Sequence, residues 1–310
     1  MGPARCRSCR GRPRPLIKTF QEEFWLSGLN RLDWTAFLSL NCARSHQAAR
    51  QRNALWLPAH AAKQQELDVS YQPSDYMPAL HGDVYWLAEP QTGLLETLYR
   101  DEPDPDPVRI FEGTPFAAQA SQSPVLFKLS TDGTLIDTLQ RTPHALRGLL
   151  LATTAPPTSL LIQLQSLLQA RFSQRRKALL RYYDPRVASY LLPTCNGAME
   201  KRWLGPIDQI AWFGGTWSDE MRGYQKWHLL TRTETGNDLP PEAPLALSDS
   251  QLQRLLDQGY EHFAWRWLHS HPSWPVPRLI TEIRAGIASG HKDEDSLSAW
   301  LDRLDIAQGE

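Results

Sequence analysis

From Asp83 onward, short apolar runs alternate with stretches whose apolar residues return every three or four positions. A period near two marks a strand and a period near 3.6 marks a helix. DVYWLA (83–88), VRIFEG (108–113), PVLFKLS (124–130), KALLRYY (177–183), DQIAWFGG (208–215) and YQKWHLLT (224–231) read as strands, and ALRGLLLATT (145–154) as a buried one. Between them PQTGLLETLYR (90–100) reads as a helix, with Leu94, Leu95 and Leu98 at helical spacing. TPFAAQAS (114–121) reads as a short helix with Pro115 in its first turn. GTLIDTLQRT (133–142), PRVASYLL (185–192) and AMEKRWLG (198–205) are helical as well. Residues 158–173 place Leu160, Leu164, Leu167, Leu168 and Phe172 on one face, the strongest amphipathic pattern in the chain.

Strands and helices in alternation predict an α/β fold: a mixed, partly parallel sheet with flanking helices. TETGNDLPPEAP (233–244), rich in Gly, Pro and acid, then reads as a linker. After it, Ser248 stands three residues ahead of Gln251, the spacing of a capping box at a helix start. The helix beyond it presents Leu252, Leu255, Leu256, Phe263 and Trp267, with Tyr260 and Trp265 widening the apolar surface. Two more helices, near 277–289 and 294–304, complete a small all-helical C-terminal lobe. Tyr260, Trp265 and Trp267 have two readings: anchors of a partner interface, or side chains that close the bundle's own core.

The segment upstream of Met77 is different. RCRSCRGRPRPL has five arginines and no acid, and residues 1–76 carry 11 Lys+Arg against 6 Asp+Glu, whereas the rest carries 22 against 28. QEEFWLSGLNRLDWTAFLSLNCARSH (21–46) has the makings of a helix or two, without matching the pattern downstream of Met77. The expected division is a basic extension over 1–76, poorly ordered or the product of a mis-called start near Met77, an α/β domain over 77–235 and the helical lobe over 236–310. No apolar run approaches the roughly 20 residues that span a bilayer, and four scattered cysteines do not make a disulfide framework in a chain this long. A cytoplasmic protein with no membrane contact is the expectation.

Candidate chemistry is sparse. Cys6 and Cys9 have the spacing of half a zinc site or a redox pair, but neither a second Cys pair nor a spaced His pair follows and the context is not strand to helix; His269 and His271 sit at an expected helix end, where the free carbonyls favour them. DEPDPDP (101–107) lacks the glycine and closing glutamate of a calcium loop, so a solvated acidic loop is expected. FGGTW (213–217) reads as a plain turn. The chain has no nucleophile elbow, phosphate-binding loop, zinc-protease or dinucleotide fingerprint, so neither metal nor cofactor is expected. The acidic balance after residue 76 argues against nucleic acid as the partner of the folded part.

The densest stretch is RYYDPRVASYLLP (181–193). Asp184 directly before Pro185 is a helix start, because aspartate caps free amides and proline at the first helical position loses no hydrogen bond. Tyr182 is expected to alternate with Arg181 and Tyr183 on the incoming strand. The competing reading makes Asp184 the acid of a hydrolase with a nearby histidine.

LLRYYDPRVASYLLP with KRWLGPIDQIAWFGG after it resembles the type VI secretion effector chaperone (adaptor) family, a bacterial domain of unknown function. The positions that carry the resemblance are Arg181, Tyr183, Asp184, Pro185, Arg186, Leu191, Leu192, Pro193, Gly205, Pro206 and Trp212. It covers about residues 80–215, and the leader has no counterpart in the family pattern. The resemblance implies a non-catalytic cytoplasmic protein that binds a toxic effector and helps load it onto the VgrG spike, with the motif residues in structural roles.

Overall fold

A computed structural model describes residues 71–130, 133–145, 147–171, 177–195, 197–233, 245–291 and 293–306. Cys6 and Cys9, the helices expected within 21–46, Phe172 and nearly all of the expected linker lie outside the described residues.

The strands are β1 (Tyr71–Ser74), β2 (Asp83–Ala88), β3 (Val108–Arg109), β4 (Val125–Lys128), β5 (Gly148–Thr153), β6 (Gln169–Arg171), β7 (Lys177–Leu179), β8 (Gln209–Gly214), β9 (Lys226–Thr231) and β10 (Leu245–Ala246). The helices are α1 (Leu94–Asp101), α2 (Leu135–Arg141), α3 (Pro157–Ser166), α4 (Pro185–Leu191), α5 (Gly197–Leu204), α6 (Trp217–Met221), α7 (Asp249–Ser270), α8 (Val276–Ala288) and α9 (Glu294–Ile306). Seven strands form one sheet in the order β1-β9-β8-β5-β2-β4-β3, every neighbouring pair antiparallel. The second sheet, β10-β6-β7, holds the parallel pair, β10 with β6.

The antiparallel main sheet is compatible with strand–helix alternation because of one connection. β4 and β5 both flank β2 and both run against it, so they are parallel to each other with β2 inserted between them. Helix α2 joins them across that strand, a split βαβ unit. Pattern alone cannot show which strand fills the gap. The edge strand β1 precedes Met77, so the sheet takes in residues that the sequence pattern assigns to the leader.

The sheet is buried on both faces, which is why its strands read as continuous apolar runs. Tyr85 and Leu87 of β2, Leu149 and Leu151 of β5, and Ile210 and Trp212 of β8 pack on one side, with α3, α4 and α5 above them. Trp86, Phe127, Leu150, Ala211 and Trp227 point to the other side and meet Leu94 and Leu98 of α1 and Leu135 and Leu139 of α2. The C-terminal helices have a core of their own around Phe263, Trp267, Trp274, Leu279, Ile283, Leu297 and Leu301. The capping box of α7 is present, with Ser248 Oγ accepting from the Gln251 amide (3.2 Å) and Gln251 Oε1 from the Ser248 amide (3.2 Å).

Several local expectations give way to tertiary contacts. The amphipathic helix ends at Ser166, and Leu167 and Leu168 are buried in the turn that leads into β6. Leucines fit either period, and pairing of Ala170 with Leu245 and Ala178 draws the chain into strand. VRIFEG keeps only two residues of strand, and Ile110 and Phe111 are buried in the turn after it. KALLRYY ends as a strand at Leu179; Arg181–Asp184 form a turn, and both tyrosines are buried rather than alternating. The acidic loop is solvated only beyond Glu102. Asp101 accepts from Arg100 Nε (2.6 Å) and Thr138 Oγ1 (3.2 Å), and Glu102 from the Ser130 amide (2.9 Å), so two of its acids are buried with donors. Thr216 turns FGGTW into a helix start, because its side chain and that of Asp219 form a capping box for α6.

Candidate functional site

The turn at residues 181–186 joins the two sheets to the helices. Asp184 caps α4: its Oδ1 accepts from the Arg186 amide (2.9 Å), and Pro185 occupies the first helical position. The Arg181 guanidinium reaches back to Glu89, just past β2, and donates to its Oε1, while Asp184 Oδ2 lies 3.9 Å from Arg181 Nη2. Tyr183 is buried with its ring edge-on to Phe111 (6.4 Å), and the Arg181 guanidinium stands 5.9 Å above it. Tyr182 donates its hydroxyl to the Leu164 carbonyl (2.8 Å), so the two tyrosines fasten the turn to different neighbours.

Glu89 is the electrostatic centre of this turn. It is 6 % exposed, and among the described residues its Oε2 has no hydrogen-bond donor, with Arg147 Nη1 at 3.8 Å. Burial pushes its carboxyl up to about 7, and the Asp184 carboxylate adds to the rise. Arg181, Arg147 and Arg186 offset this only in part.

The far half of the stretch reaches the C-terminal helices. Arg186 donates to Glu220 Oε2 from Nε (3.0 Å) and Nη2 (2.8 Å), with its guanidinium 4.2 Å above the Trp217 ring. Trp212 Nε1 donates to Ser189 Oγ (2.9 Å), and Ser189 Oγ donates to the Pro185 carbonyl (2.8 Å), which pins α4 to β8. Tyr190 donates to Glu261 Oε2 of α7 and accepts from the Trp217 amide (2.9 Å). Glu261 also accepts from the Ser218 amide (3.0 Å), so a carboxylate from α7 satisfies the start of α6. Gly205 and Pro206 close the assembly: Arg232 donates to the Gly205 carbonyl, and Thr153 Oγ1 to that of Pro206 (2.6 Å).

The structure therefore brings Arg181, Tyr183, Asp184, Pro185, Arg186 and Trp212 into one framework around α4, and places Gly205 and Pro206 in the turn before β8, where Arg232, Thr153 and Gln163 are their neighbours. The described contacts of Asp184 include no histidine. His228 is held by Tyr71 (2.7 Å) and the Gly214 carbonyl (3.1 Å) on the sheet, and His269 and His271 bond the carbonyls of Trp265 (2.8 Å) and Trp267 (3.2 Å) at the end of α7. Among the described residues no group of three or more His, Cys, Asp or Glu side chains is placed to hold a metal.

The three aromatic candidates separate. Trp267 is buried in the helical core beside Phe263 and Trp274. Tyr260 is half-buried against that core, and burial, with Asp257 nearby, pushes its hydroxyl up to about 12. Trp265 faces the seam instead, with ring centroids 4.7 Å from Trp217 and 4.2 Å from His269, while His262 lies 4.6 Å from Trp217. This half-buried row of Trp217, His262 and Trp265 joins α6 to α7 at the surface. Glu89, Trp217, Glu220 and Glu261 had no signal in the sequence strong enough to single them out, since each acquires its partner from a distant element.

Beside the motif turn a cleft of about 730 Å³ opens between α1 and the start of β4, with Arg181 and Tyr183 in its wall. Among the described residues no helix is long and apolar enough to cross a membrane.

Residues 84–201 match the family model of a domain of unknown function (DUF4123). The match opens within β2 and closes within α5, so it contains the whole motif turn and Glu89, and it stops short of Trp212, Trp217 and the C-terminal helices. No curated protein and no solved structure matches the chain.

Proposed function

With residues 84–201 matched to that domain, we propose that the chain is a non-catalytic cytoplasmic adaptor. It binds a type VI secretion toxin effector and helps load it onto the VgrG spike. The observation that carries the reading is the use of the motif side chains. Arg181, Asp184, Arg186 and Trp212 are engaged by Glu89, the Arg186 amide, Glu220 and Ser189. An aspartate occupied as a helix cap and an arginine occupied by a buried carboxylate are architectural assignments, and they support a scaffold whose surfaces meet other proteins. The Trp217–His262–Trp265 row supplies one such surface, since aromatic side chains at a half-buried seam are the common anchors of interfaces.

The test is affinity purification of the full chain from its native cell. Recovery of a toxin effector together with VgrG is the expected result; recovery of neither overturns the proposal.

A further inference from the structure

β1 is a short strand at the edge of the main sheet. It has four residues, pairs with β9 alone among the described strands, and Pro73 brings no N–H to the ladder. The register shows what else holds it. Trp212 of β8 stands directly opposite His228 of β9, and His228 directly opposite Pro73, so Tyr71 is a diagonal neighbour on the same face. The Trp212 and His228 rings lie 5.1 Å apart and nearly parallel (20°), and the Tyr71 ring lies 5.8 Å from His228 at 9°.

The hydrogen bonds define which form of the histidine fits. His228 Nε2 faces the Gly214 carbonyl (3.1 Å), which can only accept, so Nε2 carries the ring proton. Nδ1 is then the acceptor, and the Tyr71 hydroxyl donates to it (2.7 Å). A second proton on Nδ1 meets a hydrogen already there. Tyr71 keeps its bond only by turning that hydrogen away, and a charge is placed on a residue 9 % exposed.

The charges that face the ring do not compensate. Asp219 of α6 favours a charged ring, but its Oδ2 is committed to the Thr216 amide (2.9 Å) and hydroxyl (2.7 Å). Lys226 of β9, itself paired with Asp75 (3.1 Å), opposes it, and Arg254 of α7 acts on Tyr71. Burial, the largest influence, holds the ring below the usual histidine value of 6.5.

We propose that His228 is a pH-sensitive catch for β1: neutral, it holds the strand on the sheet through Tyr71; protonated, it lets the strand go. The inference stands independently of the adaptor reading. Released, the ring meets water and titrates near its ordinary 6.5; closed, it titrates lower. The closed state is therefore fully favoured above that value and loses ground below it, by up to about tenfold per pH unit. Release leaves the backbone groups of β9 without their neighbour, the kind of edge that folded proteins otherwise keep covered.

The experiment is hydrogen–deuterium exchange of the full chain, corrected for the intrinsic pH dependence of amide exchange. A local readout is needed because Glu89 titrates in the opposite direction. Protection of residues 71–74 is expected to fall at least about fivefold between about pH 7 and about pH 5.5, while β5, in the middle of the sheet, keeps its own. His228→Gln, whose amide donates to Gly214 and accepts from Tyr71 but takes up no proton, is expected to keep β1 protected throughout. Tyr71→Phe is expected to be less protected there already at neutral pH. Should His228→Gln fail to fold, the wild-type imidazole followed by NMR is expected to titrate below 6.5, in step with the exchange. Protection of β1 that ignores pH, that falls equally in His228→Gln, or that falls together with β5 overturns the catch. So does a Tyr71→Phe variant as protected as the wild type, or a His228 ring that titrates at 6.5 or above.

Discussion

Glu89 and Arg181, 92 positions apart, meet as a buried carboxylate and guanidinium where the strand β2 ends and the turn before α4 begins. Their contact ties the end of β2 to the turn that opens α4. The carboxyl titrates near 7 because burial disfavours its charge more than the surrounding arginines favour it. A carboxyl raised in the folded state contributes stability that is fully present below its unfolded value, near 4.5, and is lost as pH rises through about 7. Urea unfolding from pH 5 to pH 8 is therefore expected to show a fall in stability that Glu89→Gln flattens. An identical slope in the variant would remove Glu89 as its source. Arg181→Met is expected to cost about 3 kcal/mol at pH 8, where it strands a buried charge, and less at pH 5, where Glu89 takes up a proton.

Asp184→Ala removes the cap of α4 and is expected to cost about 1 kcal/mol. Asp184→Asn keeps an oxygen for the Arg186 amide and is expected to recover most of that. Chemical denaturation of the three proteins checks the order. A loss in Asn equal to that in Ala would assign the effect to the charge near Arg181 instead of the cap.

Gly205 adopts a left-handed backbone (φ +50°), and a Cβ there would lie 2.6 Å from the Gln163 side chain, which donates to the Arg202 (2.8 Å) and Trp203 (3.0 Å) carbonyls. Gly205→Ala is expected to cost about 1–2 kcal/mol from the backbone alone, with further loss if Gln163 is displaced. Gly223→Ala, also at positive φ (+73°) but with open space around it, isolates the backbone share. Thermal melts of both variants give the comparison, with Gly205→Ala expected to melt lower.

Trp265 and Trp267 are expected to separate stability from recognition. Trp267→Ala empties a buried site in the helical core and is expected to cost about 3–5 kcal/mol. Trp265→Ala is expected to change stability by less than about 1 kcal/mol, since the ring lies at a half-buried seam, and to weaken capture of the toxin effector. Melting curves and calorimetry on the same two variants read the two effects separately.

The sequence by itself determined what short-range geometry controls. A cap joins atoms two or three residues apart, so Asp184-Pro185 and Ser248 with Gln251 announce the starts of α4 and α7 without knowledge of the rest. Strand and helix periods likewise located most elements and placed them in layers. Tertiary structure decided what depends on distant partners. The direction of β4 and β5 is set by β2 lying between them. The burial of Asp101 and Glu102 is set by donors on residues 100, 130 and 138, and the end of α3 by the pairing of the following strand, β6, with β7 and β10. Trp265 and Trp267 differ by two positions, which on a helix puts them on nearly opposite sides. Pattern shows that they part company; only the placement of α6 beside one and α8 and α9 beside the other decides which is surface and which is core.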